Sequence, residues 1–213
     1  NIDISDRKGI FYSNGIGSYV NFPASEYICY IDKLIWEMDK EQLTFSEEIN
    51  SKNSGSRFVS LNSTQDSLSF VAKNADYNLK DYIINAYGVD SINVADAIIY
   101  PDSGFLTVER NANIRTLYNA KLIIDPLVRY HTFTNSTIDI NGANRYSGSG
   151  DYVYIDSLNN KQDIYFSNIN VNDDTITFAT GLVDESRGFR IGNRYSFKGE
   201  VQLLGDRRSL TFN

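Results

Sequence analysis

Short runs of Tyr, Ile, Val, Thr and Phe, each cut off after a few residues by Asn, Asp or Gly, confine this chain to β-structure. Such side chains suit a pleated, half-buried surface, and clusters like Leu158-Asn159-Asn160-Lys161 break strands rather than helices. One stretch competes with this reading, because Ile28, Ile31, Ile35 and Met38 also fit a helical 3–4 spacing. Against it, Leu34, Trp36 and Met38 alternate, a turn follows at Asp39-Lys40-Glu41-Gln42, and Leu43 and Phe45 alternate again. Strands are therefore expected there. With 213 residues and 41% apolar side chains, the chain can bury a core as one elongated domain or two small ones.

Texture divides the chain into three regions. Residues 1–55 read as an antiparallel β segment, with Gly9 to Tyr12 and Ser18 to Phe22 flanking a hairpin turn at Ser13-Asn14-Gly15. Residues 56–145 carry a recurring unit: Asn or Asp, then Ala or Ser, then any residue, then an apolar one. It occurs at Asn74-Ala75-Asp76-Tyr77, Asp96-Ala97-Ile98-Ile99 and Asn119-Ala120-Lys121-Leu122, and again at Asn111-Ala112-Asn113-Ile114 and Asn135-Ser136-Thr137-Ile138. Spacings in the low twenties match one coil of a parallel β-solenoid, with the small residue at a tight inward corner and the apolar one stacked in the core. The expected fold is all-β, with a β-helix-like middle and antiparallel flanks; a β-sandwich is the alternative. Residues 146–213 read as an antiparallel meander or cap, with turns at Asn159-Asn160 and Asn172-Asp173-Asp174. Pro101 and Pro126 fit corners, since proline cannot donate to a central ladder.

Side chains suited to catalysis are scarce. The single histidine, His131, excludes two-histidine metal sites, and no Gly-x-Ser-x-Gly elbow supplies a serine for it to activate. It reads as an ordinary strand residue. The single cysteine, Cys29, can form no disulfide within the chain and reads as a small buried apolar residue. Asn14-Gly15-Ile16-Gly17 is an incomplete phosphate fingerprint with no helix after it, and Ser147-Gly148-Ser149-Gly150 reads as a flexible turn. No catalytic residue and no cofactor are expected. Stacked on adjacent coils, Asp102 and Asp125 would raise one another's pKa or bind a cation, which makes them the candidate metal pair. The aromatic surplus, fifteen Tyr, twelve Phe and one Trp, permits sugar stacking, with Trp36, Tyr152 and Tyr154 as candidates.

A net charge of −7 without a Lys/Arg cluster argues against nucleic acid and against anionic membrane surfaces. No stretch reaches the roughly 20 apolar residues of a membrane span. The chain opens Asn1-Ile2-Asp3-Ile4-Ser5, without an initiating Met and in a strand-like pattern, so a mature protein or a fragment of a longer one is expected.

Three stretches carry a resemblance: Ala95-Asp96-Ala97-Ile98-Ile99-Tyr100-Pro101-Asp102-Ser103-Gly104; Arg129-Tyr130-His131-Thr132 with Asn135-Ser136-Thr137; and Gly148-Ser149-Gly150-Asp151-Tyr152-Val153-Tyr154-Ile155-Asp156. Together they resemble segments of the large, uncharacterised β-rich envelope proteins of gram-negative bacteria, over roughly residues 56–170. The resemblance implies an extracytoplasmic location (periplasm, outer surface or secreted) and a larger parent chain; it implies no activity. The expected function is a non-enzymatic structural or interaction domain whose partners are other protein segments or envelope components. A carbohydrate-binding or carbohydrate-cleaving β-solenoid, with a glycan partner, is the alternative, and an adhesin-like stalk is the third reading.

Overall fold

A computed structural model of the chain describes residues 2–13, 17–31, 33–46, 55–125, 127, 130–156, 158–192 and 195–213. In chain order the strands are β1 (Ile2–Asp3), β2 (Lys8–Tyr12), β3 (Tyr19–Phe22), β4 (Tyr27–Tyr30), β5 (Lys33–Glu37), β6 (Gln42–Ser46), β7 (Ser56–Ser60) and β8 (Ser69–Ala72). Then come β9 (Asn74–Asn78), β10 (Ile83–Tyr87), β11 (Ile92–Val94), β12 (Ala97–Tyr100), β13 (Leu106–Val108), β14 (Leu117–Ile124), β15 (His131–Gly142) and β16 (Arg145–Ile155). The last are β17 (Lys161–Val171), β18 (Thr177–Val183), β19 (Arg190–Gly192), β20 (Tyr195–Ser196), β21 (Gly199–Leu204) and β22 (Thr211–Phe212). The chain is all-β, and the helix competing over residues 28–38 does not form: β4, β5 and a short 3-10 turn at Met38–Lys40 occupy it.

Two compact units are built from interleaved segments. The first comprises Asn1–Ile92, Ser103–Arg115 and Asn141–Ala143; the second comprises Asn93–Asp102, Thr116–Ile140 and Asn144–Asn213.

The first unit is a β-sandwich. A seven-stranded sheet in the order β1-β2-β5-β6-β9-β10-β13 faces a four-stranded sheet in the order β3-β4-β7-β8. Aromatic rings lock the sheets together. Phe22 of β3 lies 5.4 Å from Phe45 and 4.6 Å from Tyr77, and Phe45 meets Phe58 edge-on at 6.4 Å. Phe58 in turn stacks on Phe70 at 5.1 Å. Each such pair adds about 1 kcal/mol to what burial alone contributes. The buried set of β9, β10 and β13 (Ala75 and Tyr77, Ile84 and Ala86, Leu106 and Val108) has the period-2 spacing that puts one face of the sheet in the core. Gln65, buried, ties the sandwich to Ala112: its Oε1 accepts from the Tyr27 hydroxyl at 3.2 Å and its Nε2 donates to the Ala112 carbonyl at 2.7 Å.

The second unit is a nine-stranded sheet, ordered β11-β12-β14-β15-β16-β17-β18-β21-β22, curled into a half-barrel, with the small β19-β20 ribbon beside it. Two long-range contacts record the curl. Asp96, in the turn between the first two strands of the order, accepts hydrogen bonds from the Thr177 backbone N–H, at 2.9 Å, and from the Thr177 hydroxyl on the seventh strand. His131 on the fourth strand donates to the Arg207 carbonyl beyond the eighth. Phe133, Tyr152 and Phe166 fill the concave side, with ring centroids 5.4–5.8 Å apart.

This architecture corrects the solenoid. Among the described residues the pairings with a defined register are antiparallel, including those within residues 70–145, so no stack of parallel coils forms there. The recurring Asn-Ala unit has another cause. Asn111, Asn119 and Asn135 adopt left-handed backbone conformations (φ 57, 54 and 49°), which Asn tolerates better than most residues. The residue after each, Ala112, Ala120 and Ser136, is fully buried. Ala120 and Ser136 face one another across β14 and β15 at a register shift, so these two units mark a β-bulge that bends an antiparallel sheet, while Asn111-Ala112 sits in a 3-10 turn and Asn74-Ala75 in the regularly paired β9. The small inward corner is real; the 22–24 residue period is not a coil length.

Two local expectations also change. The strands flanking Ser13-Asn14-Gly15 do not pair with each other: β2 pairs with β1 and β5, and β3 with β4. Asn14 and Gly15 themselves, like Pro126, lie outside the described residues. Ser147-Gly148-Ser149-Gly150 is no turn but the middle of β16, where side chains would collide with β15. Nor does the meander cap anything, because β16, β17, β18, β21 and β22 continue the same sheet as β12, β14 and β15. Its hairpins lie where the turn residues place them: Tyr152 pairs with Ile164, and Asn170 with Phe178.

Candidate functional site

The sandwich of the first unit opens into a cleft of about 520 Å³ where its two sheets diverge. Phe11 and Tyr12 of β2, Leu34 of β5 and Leu43 of β6 line one side; Tyr19 and Val20 of β3 line the other, with Ile31 and the connection residues Ser13, Gly17 and Ser18 completing it. The volume suits a small ligand or a few side chains of a partner. The local cause is topological. β2 and β3 are successive strands that enter different sheets, so the apolar side chains at their facing ends meet a gap instead of each other. Phe11, Tyr12 and Tyr19 are 41%, 57% and 58% exposed, an unusual amount of ring surface left in water at one place. The rings are braced: Tyr19 meets Tyr30 edge-on at 6.0 Å, and the Lys33 ammonium lies 5.7 Å from the centre of the Tyr12 ring.

β3 is also the end strand of its sheet, paired on one side with β4. Among the described residues its other edge has no strand beside it, next to the cleft. The lining side chains offer rings, aliphatic groups and hydroxyls. Among the described residues the lining includes no carboxylate, imidazole, thiol or amine.

The residues singled out from sequence lie elsewhere. Asp102 and Asp125 do not meet. β12 and β14 are antiparallel, with Ala97 opposite Ile124 and Tyr100 opposite Lys121, so the two aspartates fall near opposite ends of the pair, about 20 Å apart along the strands. Asp125 accepts from the Leu127 backbone N–H at 3.2 Å, as a turn residue does. Among the described residues no group of three or more His, Cys, Asp or Glu could hold a metal ion. Trp36 is half-buried on the inner side of β5 beside Leu34, and its cross-strand partner Leu43 lines the cleft, so it flanks the cleft without forming it. Tyr152 and Tyr154 face the concave side of the half-barrel. The Tyr152 ring packs on Phe133 at 5.5 Å and Phe166 at 5.8 Å, and the Tyr154 ring on Phe189 and Phe212, both at 5.4 Å. Both rings are half-buried and packed edge-on or tilted against these neighbours. Neither Phe11 nor Tyr19 was legible as a site residue, because each reads as one half of a hairpin; the only hint was aromatic residues on both sides of a Gly-containing connection.

His131 is a fully buried strand residue. Its Nε2 lies 2.6 Å from the Arg207 carbonyl, which can only accept, so Nε2 carries the proton and Nδ1 accepts from the Tyr152 hydroxyl at 3.1 Å. Burial holds its pKa below the ordinary value, outweighing the carbonyl hydrogen bond. The unfolded chain therefore takes up a proton near pH 6.5 that the folded chain resists, so this contribution to stability is complete above that pH and declines as pH falls. Between about pH 6.5 and pH 5, above the range in which carboxylates titrate, the parent protein is expected to lose stability, and His131→Asn to show a flatter slope. Urea unfolding across that window measures the difference; equal slopes refute the assignment. Cys29 is likewise buried, and burial pushes its thiol pKa far up, away from reactivity.

Among the described residues no helix is long and apolar enough to cross a membrane. No family model, no curated protein and no solved structure matches the chain.

Proposed function

We propose that this chain is a non-enzymatic interaction domain of an extracytoplasmic bacterial envelope protein, and that it takes an extended segment of a protein partner into the cleft of its first unit. The observation that carries the reading is the conjunction of that cleft with the open edge of β3. A strand added along β3 would gain main-chain hydrogen bonds, and its alternate side chains would drop between Tyr12, Tyr19, Leu34 and Leu43. The resemblance to β-rich envelope proteins supports the location and the larger parent chain.

Titrating the isotope-labelled protein with a short synthetic peptide of alternating Phe and Thr tests the binding mode. Amide shifts are expected at Phe11, Tyr12, the β3 residues and Leu34. The double variant Tyr12→Ala/Tyr19→Ala, which removes two largely exposed rings, is expected to weaken binding at least about tenfold without unfolding. Shifts scattered over both units, or binding indifferent to the double variant, would count against the cleft.

A further inference from the structure

The outward face of the seven-stranded sheet carries a built polar row that the cleft does not use. Ala75, Ala86 and Leu106 point into the sandwich, so Asp76, Asn85 and Thr107 point the other way, and the register sets these three side by side across β9, β10 and β13. They are joined to one another. The Asn85 amide donates to Asp76 Oδ1 at 3.1 Å, and the Thr107 hydroxyl donates to Asn85 Oδ1 at 3.3 Å. The Tyr87 hydroxyl donates to Asp76 Oδ2 at 2.9 Å. Next to the row, Tyr87 and Phe105 stand as neighbours with ring centroids 5.3 Å apart and tilted by 39°. Each is 43% exposed.

A face needed only for solubility would carry long charged side chains. This one keeps two rings in water beside a carboxylate and an amide whose geometry is already fixed. Each carboxylate oxygen has two lone pairs, of which the row uses one, and the Asn85 amide has a second N–H. The surface thus offers an apolar patch of two tilted rings, acceptors and a donor, held in place before any ligand arrives, which lowers the entropy lost on binding. We infer that the Tyr87–Phe105 pair with Asp76 and Asn85 is a binding site for a neutral saccharide.

A pyranose ring matches each element. Its C–H face is apolar and stacks on the rings, while its hydroxyls donate to Asp76 and accept from Asn85. Charge sets the class of sugar. Asp76 is a carboxylate, and the nearby Lys73 ammonium is paired with Asp90 at 3.0 Å, so an anionic saccharide meets repulsion. Thr107 is buried and braces Asn85 from beneath the end of the row, so the part a ligand can reach is Thr44–Asp76–Asn85, three strands and about 10 Å, with the Tyr87 and Phe105 rings beside it. The site lies on the sheet face opposite Phe11, Leu34 and Leu43 of the cleft, with Tyr87 four strands, about 19 Å, from Tyr12, and does not depend on the peptide reading.

Native electrophoresis of the full chain through gels containing hydroxyethylcellulose, xylan, galactomannan or starch tests the inference, with polygalacturonate as the anionic control. At least one neutral polysaccharide is expected to retard the protein, and polygalacturonate is not. Tyr87→Ala and Phe105→Ala are each expected to weaken the retardation at least about tenfold in apparent affinity, and Tyr87→Phe to fall between. Tyr12→Ala, in the cleft, should leave it unchanged. Asp76→Asn, which preserves shape, gives the same test through the hydrogen bonds should either ring variant unfold. Mobility unaffected by every neutral polysaccharide, retardation equal in polygalacturonate, or retardation lost with Tyr12→Ala and kept with Tyr87→Ala and Phe105→Ala would each overturn the site.

Discussion

Replacing Gly148 with alanine is expected to destabilise the second unit by about 3 kcal/mol and to lower its melting temperature by about 10 °C. The cause is a collision with backbone. A Cβ at Gly148 would be driven into the Thr137 carbonyl oxygen and would stand 2.8 Å from Ile138 Cδ1, and a carbonyl in a paired strand has nowhere to go. The neighbouring strands share this demand for small residues. A Cβ at Gly150 would strike the Ser136 hydroxyl, and one at Gly181 would lie 2.6 Å from the Tyr165 carbonyl. Gly150 and Gly181 are the cross-strand partners of Phe166 on either side, so one large ring is housed between two absent side chains where the half-barrel curls. Gly192→Ala is the control, because nothing stands within 4 Å of its added Cβ, and its effect should stay within about 0.5 kcal/mol. Thermal melts followed by circular dichroism compare the two; a Gly148→Ala protein that melts with the parent would refute the close approach of β15 and β16.

Asp96→Ala is expected to cost about 2 kcal/mol, because it strips the acceptor from two donors at once. The Thr177 hydroxyl donates to Asp96 and itself accepts from the Tyr146 hydroxyl at 2.5 Å, while the Thr177 backbone N–H donates to the other carboxylate oxygen at 2.9 Å. Tyr146 and Thr177 are buried, so neither finds water in compensation. The connection holds the β11–β12 turn against β18, which lies six places along the sheet order. Asp96→Asn keeps one acceptor and should cost about half as much. A double-mutant cycle with Thr177→Val isolates the hydroxyl's share; strict additivity of Asp96→Ala and Thr177→Val would show that the pair is not coupled.

These contacts explain which parts of the fold were legible. The hairpins at Asp39-Lys40-Glu41 and at Asn159-Asn160 were, because the turn residues act on their own backbone. Asp156 Oδ1 accepts from the Leu158 and Asn160 amides, and Asn172 Oδ1 from those of Asp174 and Ile176, so a few residues suffice to reverse the chain. The connection between β2 and β3 carries equally good turn residues, yet its strands part, because each finds a better partner in β5 or β4 than in the other. That choice rests on residues far along the chain, and the cleft follows from it. The candidate site was illegible for the same reason, while Tyr152 and Tyr154 looked available only because their partners Phe189 and Phe212 are distant in sequence.

By itself, then, the sequence determined the all-β class, the local hairpins, the burial of Cys29, the strand placement of His131, and the small inward corners after Asn119 and Asn135. All of these follow from the conformational preference or polarity of a residue and its immediate neighbours. Only the tertiary structure decided that the corners at Ala120 and Ser136 are a bulge in an antiparallel sheet and not steps of a parallel coil, that Asp102 and Asp125 stand apart, and that the exposed rings gather at Phe11, Tyr12 and Tyr19 and at Tyr87 and Phe105. The physical reason is that a spacing of some twenty residues fixes neither the direction nor the register in which two strands meet; those are set by side chains across the whole sheet finding the arrangement that buries the most apolar surface with every backbone group paired.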